Sequence, residues 1–521
     1  MSSMPLEEGQ AKYQLDRDSA ADSNVSLKEN STEASAITPT VGVTSGIGIV
    51  MGTLLSVEIF LFPGNVWQLT GSIGMSFIMW IIGAAINVFG GLSYTELAIM
   101  IPQSGADMAY LNHFYRHPRQ MLGYLYAWML IIIAIPASMA AQLTAFGQYI
   151  MYAAVGAEVY SEEKFVTYEW ISRGIGAVGL AAILALNVAS MTWVNRVHTA
   201  LATLKVLIML FIIVVGIVAV AGGLDVPDPG NWKEPFAGTS TNLYAHAQAF
   251  LRVNWALTGW IALNLIISEV KRPERTIPVS ILLSLAIATA LVLLLNAAYS
   301  FVVPAEIAFA AQELIAGSFG TIALGSKVGQ VLVPVLLAVV GFGTASINFF
   351  SSSRVLHESA RLKYTPGARY LSLVHAGSNT PRRSLVVLTM LTVIILVAPP
   401  PGRVFSFFIE LSSFPMYVFN LLVLLGLVTY RLTKPNKPGQ FRAWLLAPII
   451  YILSCIFVII CIFLPPEQAA EGEIESSAPY YLPPILSIFI TLVGLLFWHV
   501  YVIHSGSWRA ALRLRPADRQ T

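Results

Sequence analysis

The stretch Gly46-Ile47-Gly48-Ile49-Val50-Met51-Gly52-Thr53-Leu54-Leu55-Ser56-Val57-Glu58-Ile59-Phe60-Leu61-Phe62-Pro63-Gly64 decides how this chain is read. It is apolar and of bilayer-spanning length, yet it carries a serine, a glutamate and a proline. Its glycine spacing is wrong for a dinucleotide fingerprint, and no strand precedes it. Close helix packing through small residues is the plainer reading of Gly48 and Gly52. Glu58 needs another account. A carboxylate near the middle of a spanning helix costs about 3 kcal/mol on the insertion scale, so it needs a partner, a water-filled cavity or a proton. With Ser56 before it and Pro63 after it, the segment reads as a broken helix. Helices broken at the midplane expose free N–H and C=O groups, and carriers use those ends to hold charged ligands.

From here the pattern extends in both directions. Residues 1–42 are polar and aperiodic and read as a disordered tail without a signal peptide. The sequons at Asn24 and Asn30 in it are chance matches if the tail is cytosolic. Beyond it, apolar runs alternate with short polar joints: 43–68, 74–101, 120–155, 171–190, 197–222, 245–267, 278–303, 328–351, 385–398, 405–430, 446–465 and 483–504. The expectation is an all-α polytopic membrane protein of about twelve transmembrane helices. Residues 43–430 form its core, 431–504 add two helices, and 505–521 are a C-terminal tail. Apolar residues make up 56% of the chain and charged residues 11%, too few charges to cover a soluble surface. The two cysteines, Cys455 and Cys461, share one apolar run and imply no disulfide framework.

Charge orients the spans. Arg116 and Arg119, then Arg196, then Lys271, Arg272 and Arg275, fall in even joints, as do Arg354, Arg361, Lys363, Arg369, Arg382 and Arg383. Arg431, Lys434, Lys437 and Arg442 follow in the next even joint. Odd joints are acidic, with Glu158, Glu162, Glu163 and Glu169, or Glu467, Glu471, Glu473 and Glu475. The positive-inside rule then places both termini in the cytosol. The sixth run, Asn254-Trp255-Ala256-Leu257-Thr258-Gly259-Trp260-Ile261-Ala262-Leu263-Asn264, again has Gly and Thr near its middle. Interruptions in the first and sixth spans are what an inverted-repeat carrier predicts. Lys205 and Glu410 are further ionisable residues in apolar runs. Lys205 reads as functional or structural on even terms, Glu410 as a buried ion pair or a snorkelling group. Glu269, beside Lys271 and Arg272, reads as a surface ion pair.

Four stretches together resemble the L-type amino acid transporter branch of the amino acid–polyamine–organocation superfamily, over about residues 43–430. Gly91-Leu92-Ser93-Tyr94-Thr95-Glu96-Leu97, with Ser104-Gly105-Ala106-Asp107 and Ala109-Tyr110, resembles the end of the second helix and the loop after it. Asn195-Arg196-Val197 and Lys205 resemble the next loop and the fifth helix. Gly259-Trp260, Asn264, Glu269 and Pro273 fit the sixth. Phe342-Gly343-Thr344 to Ser352-Ser353-Arg354, then Leu371-Ser372-Leu373-Val374-His375 and Thr380-Pro381, resemble the eighth helix and its loop. The resemblance implies a 5+5 inverted repeat with broken helices 1 and 6, two extra helices, and proton-coupled secondary transport of amino acids, neutral ones or related amines. It implies that Ser56, Val57 and Glu58 hold the substrate's carboxylate or amine, that Trp255 is an extracellular gate, and that Thr258, Gly259 and Asn264 line the site. Lys205 falls where some members place an amine that substitutes for a sodium ion, so Lys205 and Glu58 are the proton-coupling candidates.

Two departures matter. The family usually has Gly-Ser/Thr-Gly at the first break, where this chain has Ser56-Val57-Glu58. A glutamate there competes with a substrate carboxylate for the helix N-terminus. Three consequences stay open: a cationic substrate, a Glu58 protonated during the cycle, or a site that has lost ordinary transport. Animal members bond a glycoprotein subunit through a Cys after the third helix, and residues 155–170 have none, so no disulfide-linked heavy subunit is expected. In this the chain is similar to free-standing fungal permeases, including the methionine-permease group, at the plasma membrane. The competing function class is a non-transporting nutrient sensor on the same fold. An enzyme is not expected: there is no Gly-x-Ser-x-Gly elbow, phosphate loop or metal-ligand spacing, and no metal, cofactor or nucleic acid is implied. Lys12 and Lys28, among many Ser and Thr, are candidate regulatory positions in the tail.

Overall fold

The first span is two helices. In a computed structural model, α1 (Val43–Leu54) and α2 (Glu58–Thr70) meet at a 49° bend. The structure describes residues 41–103, 105–118, 120–160, 163–189, 191–361, 364–365, 367–373, 381–400, 404–433, 441–464 and 479–503. Both expected tails, apart from Val41 and Gly42, lie outside these residues, as do Ser104, Arg119, Glu162, Lys363, Val374-His375, Thr380, Lys434, Lys437 and the four acidic residues at 467–475. The break falls at Leu55-Ser56-Val57, whereas Pro63 lies inside α2. Gly71, at φ 73°, ends α2 in the left-handed region and donates its N–H to the Trp67 carbonyl at 2.9 Å.

The following helices are α3 (Ile73–Met100), the short α4 (Asp107–Phe114), α5 (Met121–Met129) and α6 (Ile135–Val155). Ser72 caps α3 by accepting from the Met75 N–H at 3.4 Å. A π-turn over Leu130–Ala134 joins α5 to α6 just before Pro136, where the missing N–H breaks the α-helical ladder. The segment after the second span is thus partly helical. Then come α7 (Phe165–Ala189) and α8 (Met191–Val220). Asn195-Arg196-Val197, expected in a loop, is helical within α8.

The sixth span is broken too. Here α9 (Leu243–Leu257), N-capped by Asn242, gives way to a 3-10 turn over Thr258–Ile261 and the short α10 (Ala262–Leu265). Then follow α11 (Pro273–Val302), α12 (Ala305–Ala311), α13 (Ile315–Leu324), α14 (Gly329–Arg361) and α15 (Ala368–Leu371). The last four are α16 (Arg382–Val397), α17 (Val404–Thr433), α18 (Leu446–Cys461) and α19 (Leu482–Phe497).

Among the described residues nine helices are long and apolar enough to cross a membrane, and the bent α1–α2 pair makes ten. The chain is an all-α polytopic protein. The count differs from the expected twelve in three runs and one joint. The α16 and α18 helices have 16 residues each, about 24 Å and short of a full hydrocarbon core, and the sixth span is interrupted. The joint at 304–327 contains α12 and α13, which together pass on length and apolarity. A left-handed Gln312 splits them. They cover the outgoing ends of α2 and α6: Tyr149 donates to the Glu313 carbonyl at 2.9 Å, and Phe309 packs edge-on to Trp67 at 5.9 Å.

The outside of the bundle is apolar, as lipid requires: Val178, Ile217, Met390 and Leu492 are each more than half exposed. Two buried ion pairs tie helices together among the described residues. Arg173 donates to Glu169 at 2.7 Å and to the Pro399 carbonyl at 2.6 Å, joining α7 to the end of α16. Arg431 on α17 forms a two-pronged pair with Glu96 on α3, and Glu96 also accepts from the Ala443 N–H at 2.8 Å.

Candidate functional site: two helix breaks and a polar seam

The two breaks touch. Thr53, the penultimate residue of α1, donates its hydroxyl to the Gly259 carbonyl at 2.8 Å. A Cβ on Gly259 would stand 2.7 Å from the Leu54 nitrogen, so only glycine lets the two backbones approach this closely. The expected residues Ser56, Val57, Thr258 and Gly259 are therefore brought to one place, with Trp255 a turn away on α9 and partly buried. Asn264 is not among them. It is fully buried, and its amide donates to the Tyr94 carbonyl at 2.8 Å and the Tyr110 hydroxyl at 3.1 Å, facing α3 and α4.

Gly48 and Gly52 do not pack. A Cβ on either would meet nothing within 4 Å, and it is Gly46 that closes on Ser280, at 2.6 Å. The exposed positions of α1 are Thr44, Ser45, Gly48 and Thr53, small and mostly polar where a lipid-facing helix would carry large apolar groups. This face suits water better than acyl chains, and it leads to the breaks.

Glu58 is the first residue of α2 and only 4% exposed. The first N–H groups of a helix have no acceptor within it and carry the positive end of its dipole, which favours a carboxylate there. Gln142 on α6 donates to Glu58 Oε1 at 2.8 Å, and Asn348 on α14 donates to Gln142 Oε1 at 3.0 Å. Glu58 Oε2, by contrast, is buried with no hydrogen bond among the described residues. Lys205 on α8 is 2% exposed and lies within electrostatic range of Glu58, with no ion pair between them inside 4.0 Å. His198, one face along α8, shares a hydrogen bond with Ser346 Oγ at 2.9 Å. A polar seam thus runs between α2, α6, α8 and α14. Glu58 and Lys205 were visible in the sequence but Gln142 and Asn348 were not, because an isolated amide in an apolar run has no charge to explain.

Glu410 is buried, hydrogen-bonded to Gln248 and within electrostatic range of Arg252. Glu269 makes no ion pair among the described residues; its carbonyl accepts from the Val41 N–H at 2.9 Å instead, while Lys271 donates to the Val41 carbonyl at 2.8 Å. A second polar cluster surrounds Asp107 at the start of α4, whose oxygens lie 2.5 Å from the Tyr94 hydroxyl and 3.3 Å from that of Tyr126. Burial pushes the Asp107 carboxyl up to about 6, against the two tyrosine hydrogen bonds that lower it.

Broken first and sixth spans, joined at their breaks beside a buried carboxylate, are the arrangement of a membrane carrier. Residues 41–493 match the amino acid permease family. The chain belongs to that family. It is 28% identical to the human cystine/glutamate transporter over 89% of this chain and 85% of that one. It is equally 28% identical to the human large neutral amino acids transporter small subunit 2, over 82% and 76%. The mouse b(0,+)-type amino acid transporter 1 matches at 28% over 92% and 91%. The permease is a membrane transporter and not an enzyme. Its two cysteines are both buried in α18.

Proposed function

We propose that this permease carries amino acids, neutral ones or closely related amines, by alternating access, with proton movement through Glu58 and Lys205. The observation that carries the reading is the buried Glu58 at the N-terminus of α2, one oxygen held by Gln142 and the other unpartnered, with Lys205 in electrostatic range. Glu58 occupies the electropositive helix end where a substrate carboxylate would otherwise sit. Neutralising Glu58 by a proton frees that end for the carboxylate, which links substrate entry to proton entry. The open small-polar face of α1 supports an access route from the side on which the chain starts. Ser56, Val57, Thr258 and Gly259 supply the backbone groups of the site, and Trp255 closes it from the α9 side. Both termini are cytosolic on the charge pattern, the membrane is the plasma membrane, and no thiol is placed to tether a second subunit covalently.

The test is uptake of a radiolabelled amino acid panel, with choline and polyamines, into permease-deficient cells at acidic and neutral pH. Wild type and Glu58→Gly are compared at matched surface expression. Acid-stimulated amino acid uptake that is lost in Glu58→Gly is the expected result. No uptake by the wild type, with uptake gained by Glu58→Gly, would replace the reading with the sensor, for which the self-supplied carboxylate is the motive, or with a carrier of something outside the panel.

A further inference from the structure

A cavity of about 340 Å³ lies away from the helix breaks, between the end of α4 and the end of α17. It is lined by His113, Phe114, Tyr115, Arg116, Gly426, Thr429, Tyr430 and Thr433, and no carboxylate is among them. On α17 the lining residues 426, 429, 430 and 433 are one helical face, while Arg431 turns the other way to pair with Glu96. Gly426 makes room for Phe114, since a Cβ there would stand 2.5 Å from its ring. The Phe114 and Tyr430 rings lie 6.1 Å apart and Tyr115 donates to the Leu422 carbonyl at 2.9 Å, so the aromatic walls are fixed. Arg116 stands exposed without an ion pair among the described residues; Thr429 and Thr433 are exposed too, their hydroxyls donating to the Leu425 and Thr429 carbonyls within α17. Beside them on α17, Leu425 and Leu432 are 41% and 77% exposed.

We infer that this cavity binds the phosphate headgroup of an anionic phospholipid. The guanidinium and the imidazole suit a phosphate, the volume suits a headgroup, and the bare leucines continue from the polar lining as a track for an acyl chain. A free phosphate would use the first of these features but not the leucines. On the orientation proposed above the site faces the cytosolic leaflet; the binding itself does not depend on that orientation.

The full-length protein is purified and reconstituted in nanodiscs of a neutral choline phospholipid, alone or doped with phosphatidylserine or a phosphoinositide. Lipid retained after detergent extraction is read by native mass spectrometry for wild type, Arg116→Gln and Arg275→Gln, the last an exposed cation outside the cavity. The expected result is selective retention of the anionic lipid by wild type and Arg275→Gln, and a roughly fivefold loss in Arg116→Gln at unchanged melting temperature. Equal retention by all three proteins, or no preference over the choline lipid, overturns the inference. No selective retention of lipid by the wild type, with a melting temperature raised by millimolar inorganic phosphate in wild type but not in Arg116→Gln, overturns the lipid as the ligand and leaves a site for a soluble phosphate. Because both leaflets of a nanodisc are alike and both faces open, a wrong orientation would leave these results unchanged and would show only in sidedness mapping.

Discussion

Replacing Glu58 by Gln and Lys205 by Met, singly and together, tests whether the two buried charges act on each other. Glu58→Gln keeps the side-chain shape and an oxygen for Gln142 but removes the charge; Lys205 then stands in the bundle with no opposite charge named beside it. Two unit charges at 4 Å attract by about 4 kcal/mol at an effective dielectric of about 20, and by about 2 kcal/mol at about 8 Å. Glu58 and Lys205 are beyond the 4.0 Å ion-pair limit, so about 2–4 kcal/mol is the expected coupling. Each single change loses that attraction. The double change loses it only once and also relieves the desolvation of both groups. The double variant should therefore be at least as stable as the weaker single variant, with non-additivity of about 2 kcal/mol. Heat challenge of detergent extracts followed by size-exclusion recovery of the tagged protein gives the order. A double variant whose loss equals the sum of the singles to within about 0.5 kcal/mol would refute the coupling and, with it, a shared part for the two residues in proton movement.

Three more outcomes follow from the same geometry. Gly259→Ala should cut uptake about tenfold or more at normal surface expression, because its methyl group pushes on the Leu54 nitrogen at 2.7 Å; unchanged transport would show that the breaks can part without cost. Arg431→Gln should reduce folded yield, the buried Glu96 losing its partner at a cost of about 3–5 kcal/mol, and adding Glu96→Gln should restore much of it in the same size-exclusion assay. For Asp107, the folded carboxyl binds its proton more firmly than the unfolded one, so its stabilisation is complete below about pH 4 and is lost as pH rises through about 6. The contribution is of order 3 kcal/mol, and Asp107→Asn should flatten the fall in melting temperature across that window.

The sequence disclosed the architecture where physics leaves no choice. A glutamate in an apolar run demands an explanation, and Ser56-Val57-Glu58 and Thr258-Gly259 are indeed where the two spans break. Glu410 was legible as a buried charge needing a counter-charge, although Arg252, the cation in electrostatic range on α9, was not. The errors concern direction around a helix axis. Gly48 and Gly52 looked like packing residues because small residues usually are, and Asn264, which the resemblance placed in the site, turns its amide to Tyr94 and Tyr110. Which way each one faces depends on neighbours far along the chain: Ser280 at Gly46, Tyr94 and Tyr110 at Asn264. Pairs such as Glu96 with Arg431 join α3 to α17, and no local spacing announces them. Gln142 and Asn348 were hidden for the simpler reason that a neutral amide in an apolar run raises no alarm, though it pays to look for one opposite any buried acid.

The Val41 backbone exchanges hydrogen bonds with Glu269 and Lys271 at 2.9 and 2.8 Å, and Thr53 holds Gly259 at the other end of α1. A rod riveted at both ends to its neighbour cannot slide or swing alone. Helix α1 and the second half of the sixth span are in this sense one lever with two grips, one at the rim of the bundle and one at its middle. A displacement of α1 at Val41 is therefore carried along the helix to Gly259, so that the rim of the bundle and its middle are tied through one element.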